Sequence, residues 1–205
     1  MRNPFIKAAA VCVLAIASLA LAAGAQAPAP PAGAAVSPVV ANPTYITIPL
    51  EITVNRPAAE VWKRVGKYCD IGEWLRLACT ITSGKDGEVG AIRSVAGEVL
   101  VGRTDLSYTY TQPVRAGRPY NLYHGTVEAR PLTATTSKIV YTLMYDNSML
   151  ADDAARERDK AQKTTQFTQA IENMKILAEG GTLPPATPRG NAPPRGAQPG
   201  APPVQ

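Results

Sequence analysis

Between Tyr45 and Val54 apolar side chains fall at every second position (Ile46, Ile48, Leu50, Ile52, Val54) and alternate with mostly polar ones. That period of two predicts a strand with one buried face. The period then changes. Pro57 stands in the first turn of a predicted helix whose inner face is Ala58, Val61, Trp62 and Val65 and which ends at Gly66. A second short helix is predicted from Ile71 to Leu75, and a strand from Leu77 to Thr82, followed by a turn at Ser83-Gly84-Lys85-Asp86-Gly87. Further strands are predicted at Ala91–Ala96, Glu98–Gly102, Asp105–Gln112, Tyr120–Ala129 and Ser137–Asp146. From Ala151 to Glu179 there is no Pro or Gly for 29 residues, and good helix formers dominate. Asp152 stands where a helix dipole favours an anion, and Gly180-Gly181 supplies the stop. Asp152→Arg156 and Asp159→Lys163 are spaced as i,i+4 pairs. The stripe Ala154, Ala161, Phe167, Ile171, Met174, Ala178 has helical period. A helix about 43 Å long needs a broad surface to lie on, and the strands provide one. Seven strands broken by helix after the first, then one long helix, make an α+β pattern.

The two ends do not share this patterning. Arg2 and Lys7 precede a sixteen-residue apolar run, Ala8 to Ala23, and Ala23-Gly24-Ala25 is a small-x-small cleavage site. These are the parts of a secretory signal peptide over residues 1–25, with the mature chain starting at Gln26. A permanent membrane anchor wants about 20 strongly apolar residues; this run is shorter and half alanine. Residues 26–43 are rich in Ala and Pro and carry no charge, which predicts a semi-extended linker. Residues 180–205, with eight Pro and five Gly, predict a disordered tail that could meet an envelope partner. The folded part spans 44–179.

Composition adds two constraints. The net charge of +5 comes largely from the ends, since residues 44–179 hold 17 basic and 16 acidic side chains. With no basic stripe interleaved with aromatics, nucleic acid is not an expected partner. Cys69 and Cys79 are the only cysteines beyond the signal peptide. In an exported chain they are expected to form a structural disulfide. No Gly-rich phosphate loop is present, so no cofactor is expected. His124 is the only histidine. That excludes a Ser-His-Asp triad on its outward parity and any multi-histidine metal site.

Several segments in fixed order resemble the SRPBCC superfamily of START-related and birch-pollen-allergen-like domains, in its polyketide cyclase/dehydrase and lipid-transport branch. They are Val54-Asn55-Arg56-Pro57-Ala58-Ala59-Glu60-Val61-Trp62, Gly72-Glu73-Trp74-Leu75 and Val89-Gly90-Ala91-Ile92-Arg93-Ser94-Val95. Glu98-x-Leu100 and Leu106-x-Tyr108-x-Tyr110 ahead of Pro113 follow. The resemblance runs from about Tyr45 to Glu179. It implies a helix-grip fold: a seven-stranded antiparallel sheet wrapped around the C-terminal helix, with two short helices after the first strand. It also implies a cavity between sheet and helix for an apolar or amphipathic small molecule. Plant hormone receptors of this group carry a Ser-Gly-Leu-Pro-type gate loop; this chain has Ala96-Gly97 in a tight turn there, and no gated latch is expected.

Strand parity then selects the residues expected to face that cavity. They are Arg93, Val95, Glu98, Tyr108, Tyr110, Tyr123, Tyr141 and Tyr145 from the sheet, with Phe167, Ile171 and Met174 from the helix. Five tyrosines would give an apolar cavity several hydroxyls. Inward tyrosines also simply fill cores, and Arg93 and Glu98 fit either a structural ion pair or a grip on a ligand's polar end. Three functions follow: an exported carrier of a hydrophobic small molecule or lipid, a cyclase/dehydrase-like enzyme using the same cavity, or a partner-binding module with a filled core. Export is checked by the intact mass of protein recovered from a bacterial periplasm, which should correspond to a chain beginning at Gln26; an unprocessed mass would refute the signal peptide.

Overall fold

A computed structural model describes residues 40, 42–114 and 120–185. The segment expected as signal peptide, most of the expected linker and the expected tail beyond residue 185 lie outside the described residues. The alternating segment forms β1 (Tyr45–Val54), with Ile48 and Val54 buried and the odd-numbered positions exposed. Helix α1 (Ala58–Val65) follows Pro57 and buries Ala58, Val61 and Val65; α2 (Ile71–Trp74) buries Ile71 and Trp74. Then come β2 (Ile81–Ser83), β3 (Ile92–Arg93), β4 (Val99–Arg103), β5 (Ser107–Thr111), β6 (Tyr123–Pro131), β7 (Ser137–Asp146) and helix α3 (Asp153–Ala178). The strands form one antiparallel sheet in the order β1-β7-β6-β5-β4-β3-β2. Each strand from β2 to β7 neighbours the next in the chain, and β1 closes on the last. Helix α3 lies against β1 and β7, and α1 touches α3 and β6.

Helix α3 begins and ends where the residues direct it. The Asp152 carboxylate accepts the Ala155 N–H at 2.6 Å, a cap worth about 1 kcal/mol. At the other end Gly180 adopts φ 87°, and the Gly181 N–H reaches back to the Ile176 carbonyl at 2.8 Å. Its burial differs from the expected stripe. Ala154 and Ala161 are exposed, and the buried face is Phe167, Ala170, Ile171, Asn173, Met174, Leu177 and Ala178. The buried apolar face is therefore confined to the C-terminal half of the helix. Arg156 pairs with Asp153 rather than Asp152, because the Asp152 carboxylate is engaged by the backbone; Asp159 and Lys163 pair as expected, at 2.7 Å. Leu183 packs on the core beyond the helix, and the Pro184 carbonyl accepts from Arg76.

Four strands are shorter than the sequence predicted, β2 and β3 the most. The chain from Leu77 to Thr80 turns back on α2, with the Leu77 N–H donating to the Gly72 carbonyl at 2.9 Å, and β2 starts only at Ile81. The segment predicted over Ala91–Ala96 keeps two residues of strand, because left-handed residues bracket it: Gly90 (φ 94°) before and Ala96 (φ 52°) after. Cys69 and Cys79 are joined, with Cα atoms 5.5 Å apart, and tie the approach to α2 to the segment leading into β2. In the chain-entropy model a loop of this size is worth about 3 kcal/mol.

The register explains one glycine. Gly125 pairs with Tyr110 across β5 and β6, and the Tyr110 ring lies where a Cβ at 125 would stand. Gly125→Ala should therefore destabilise the fold by about 1–3 kcal/mol through overpacking, measured as a lowered urea midpoint at unchanged slope. An unchanged midpoint would show that the ring can move aside.

Candidate functional site

The interior is organised by a two-residue hairpin. Ala96 (φ 52°) and Gly97 (φ 64°) are both left-handed, as a type I′ turn requires. The Glu98 N–H donates to the Val95 carbonyl at 3.1 Å and the Arg93 N–H to the Glu98 carbonyl at 3.0 Å. Arg93 and Glu98 thus face each other across the hairpin, 0% and 3% exposed. Arg93 Nε donates to Glu98 Oε2 at 2.7 Å, and Nη2 lies 2.5 Å from the same oxygen. Nη1 donates to the Tyr68 carbonyl at 2.5 Å. The guanidinium carbon sits 4.2 Å from the Tyr68 ring centroid and 4.7 Å from that of Tyr110. Glu98 Oε1 accepts from Gln112 Nε2 at 3.0 Å. Burial pushes the Glu98 carboxyl up, and Arg93 and Gln112 pull it part of the way back. The geometry is that of a structural ion pair, one of the two roles expected for these residues.

The other inward residues mostly meet one another. The Tyr110 and Tyr141 hydroxyls are 2.7 Å apart. Tyr141 packs edge-on against Phe167 (4.9 Å between centroids) and Trp74 (6.0 Å). Ile171 and Met174 are buried in the same cluster, and Val95 lies half-buried at its margin. Tyr123 and Tyr145 form a second group with Tyr120 at the N-terminal half of α3. There the Tyr120 hydroxyl donates to Asp159 at 2.5 Å, and Lys163 Nζ lies 4.3 Å from the Tyr120 ring centroid. His124 faces outward and is half-buried, and burial holds its pKa below the usual value.

Open space lies elsewhere, between the C-terminal turn of α1 and the β2–β3 and β4–β5 connections. A cavity of about 350 Å³ is walled there by Trp62, Tyr68, Leu100 and Tyr108. Trp62 folds back over Gly66, where a Cβ would collide with the indole. Trp62 stacks obliquely on Tyr108 (5.7 Å), and Tyr68 meets Tyr108 edge-on (5.5 Å). Burial raises the pKa of both the Tyr68 and Tyr108 hydroxyls, so they hold their protons and serve as hydrogen-bonding groups rather than as acids or bases. The mouth is polar: Lys63, Lys67, Arg103 and Asp86 are exposed around it. Of the residues selected by strand parity, only Tyr108 lines this cavity.

Sequence reasoning passed over Tyr68 and the cations at the mouth. Tyr68 sits in the link between α1 and α2, where neither period assigns a face, and no motif singles out Lys63 or Lys67. The signals present were Gly66, four residues after Trp62, and Cys69 beside Tyr68.

A curled antiparallel sheet holding a C-terminal helix, with two helices inserted after the first strand and a cavity with aromatic walls, defines a helix-grip protein of the SRPBCC type. The chain belongs to the family described as polyketide cyclase / dehydrase and lipid transport, whose model matches residues 45–179. Among solved structures it is similar to a protein from Thermobifida fusca, with 24% identity and a TM-score of 0.55 over 67% of this chain and 97% of that one. It is also similar to the Zhui aromatase/cyclase from Streptomyces sp. R1128 (18%, 0.52, 68% and 100%). Truncated norcoclaurine synthase from Thalictrum flavum gives 13%, 0.53, 70% and 99%. At these identities the likenesses bear on the fold. No match was found among curated proteins.

Glu98→Gln leaves the Arg93 cation buried without its counter-charge and should destabilise the fold by about 3 kcal/mol. The double replacement Arg93→Met, Glu98→Met removes both charges and should cost less than Glu98→Gln alone. Urea denaturation of the two variants decides; a costlier double variant would mean that the pair is a net source of stability.

Proposed function

We propose that this protein is exported and binds or carries a hydrophobic or amphipathic small molecule, a lipid among the possible cargoes. The observation that carries this reading is the cavity of about 350 Å³ with Trp62, Tyr68, Leu100 and Tyr108 in its wall. Its size falls within the ~300–1,000 Å³ of small-molecule sites, and its mixture of aromatic wall and polar mouth is theirs too. Binding would be driven by removing apolar ligand surface from water, at roughly 25 cal/mol per Å² before the costs of ordering. Tyr108 is the ligand contact, joined by Trp62, Tyr68 and Leu100. Arg93, Glu98, Tyr110 and Tyr141 stand behind it and hold it in place; Val95, Tyr123, Tyr145, Phe167, Ile171 and Met174 fill the remaining interior. Export is supported by the apolar N-terminal run with its small-x-small site, and the Cys69–Cys79 disulfide fits an oxidising compartment.

The reading is tested on protein expressed from the full chain and recovered from a bacterial periplasm, by native beside denaturing mass spectrometry. The expected result is an added mass of a few hundred daltons in the native spectrum that is lost on denaturation. It should also be lost in Leu100→Trp, which fills the cavity. A bare native mass that stays bare after incubation with a periplasmic lipid extract would sink the carrier reading, and turnover of an added polyketide would replace it with the enzyme.

A further inference from the structure

The mouth of the cavity carries a net positive charge, although the domain as a whole is nearly neutral. Three cations from three separate segments converge on it: Lys63 from the last turn of α1, Lys67 from the α1–α2 link, and Arg103 from the end of β4. The single acid lining the cavity is Asp86, in the turn after β2. Among the described residues none of these four takes part in an ion pair within 4.0 Å. Their neighbours of either sign are otherwise engaged. Arg64 is paired with Glu73 at 2.7 Å, and Lys85 with Glu88 at 2.8 Å. Asp70 accepts the Lys67 backbone N–H at 2.8 Å. Arg103 is pinned by a hydrogen bond from Nη1 to the Gly87 carbonyl at 2.5 Å, which fixes the guanidinium beside the cavity. The end of a helix attracts cations on its own account, and that accounts for Lys63; it does not account for Arg103, which comes from a strand.

Behind this mouth the wall is aromatic and aliphatic. Tyr68, 1% exposed, has a hydroxyl with no hydrogen-bond partner among the described residues. Resting on the reading of this cavity as the ligand site, we propose that its ligand is an anionic amphiphile. An apolar chain or ring lies against Trp62, Leu100 and Tyr108, and a carboxylate sits at the mouth between Lys63, Lys67 and Arg103. The charge arrangement selects the head and the aromatic wall tolerates variety in the body. Exposed cations around a desolvated tail contribute modestly each and together set a preference.

The test compares three single-chain probes of similar alkyl tail on ligand-stripped protein from the full chain: decanoate, decan-1-ol and decyltrimethylammonium, by isothermal titration calorimetry. Decanoate should bind about tenfold more tightly than decanol at low salt, the gap narrowing at about 0.5 M salt, where the Debye length falls to a few ångströms. In Lys63→Gln/Lys67→Gln/Arg103→Gln the ratio of the two affinities should fall close to one, with circular dichroism and melting temperature confirming an intact fold. Decanol binding as tightly as decanoate overturns the charge inference and leaves the cavity reading standing. A preference for decyltrimethylammonium overturns it in favour of Asp86 as the recognising group. The same ratio in the folded triple variant also overturns it. Heat from none of the probes, with a bare native mass spectrum, overturns both readings together.

Discussion

The buried Arg93–Glu98 pair is the constraint on which the rest of the interior depends. A guanidinium with 0% exposure is tolerable only if its charge is met and its faces are covered, and here Nη2 has the Glu98 charge beside it but no aligned hydrogen bond. Glu98 meets the charge, the Tyr68 carbonyl takes Nη1, and the rings of Tyr68 and Tyr110 cover its faces. Each of these partners belongs to a different part of the chain. Through them one side chain fixes the β3–β4 hairpin, the α1–α2 link and the middle of the sheet with respect to one another. Gln112, which donates to Glu98, brings in the end of β5.

That arrangement also decides where space is left. With Arg93 drawing Tyr68 and Tyr110 towards itself, and Tyr110 bonded to Tyr141 over Gly125, the region under the C-terminal half of α3 is packed with buried side chains. Trp62 and Tyr108 are the outermost members of the same aromatic chain, and the cavity opens beyond them. A site whose wall is the outer surface of a rigid aromatic cluster is pre-organised, so a ligand entering it has little left to order.

The fold was largely legible because it rests on periods that survive in a single sequence. β1, β7 and α3 are long enough for period two or 3.6 to be unmistakable, and the α+β class follows from their order. The short pieces were not legible at their boundaries. β2 and β3 are set by backbone conformations at Gly90, Arg76 and Ala96, and two of these are non-glycine residues with positive φ (56° and 52°) that no propensity anticipates. The site was legible only in part, for a related reason. Parity says which way a side chain points, and it was right for Arg93, Glu98 and the tyrosines. It does not say whether inward side chains will leave a gap or close it, which depends on the summed volumes of residues far apart in sequence. Tyr68 and Lys67, in a link with no period, could be placed only in three dimensions.

The sheet order bears on how the molecule comes into being. β1, the first strand of the domain, is paired along its whole length with β7, the last, from Tyr45 opposite Asp146 to Val54 opposite Ser137. Until the chain has been made through residue 146, β1 has no partner in the sheet. Pairings this distant raise contact order and slow folding, and they forbid a stable N-terminal half in the meantime. Such a sheet cannot close from its N-terminal half alone, and its structure is completed only when β7 is available to β1.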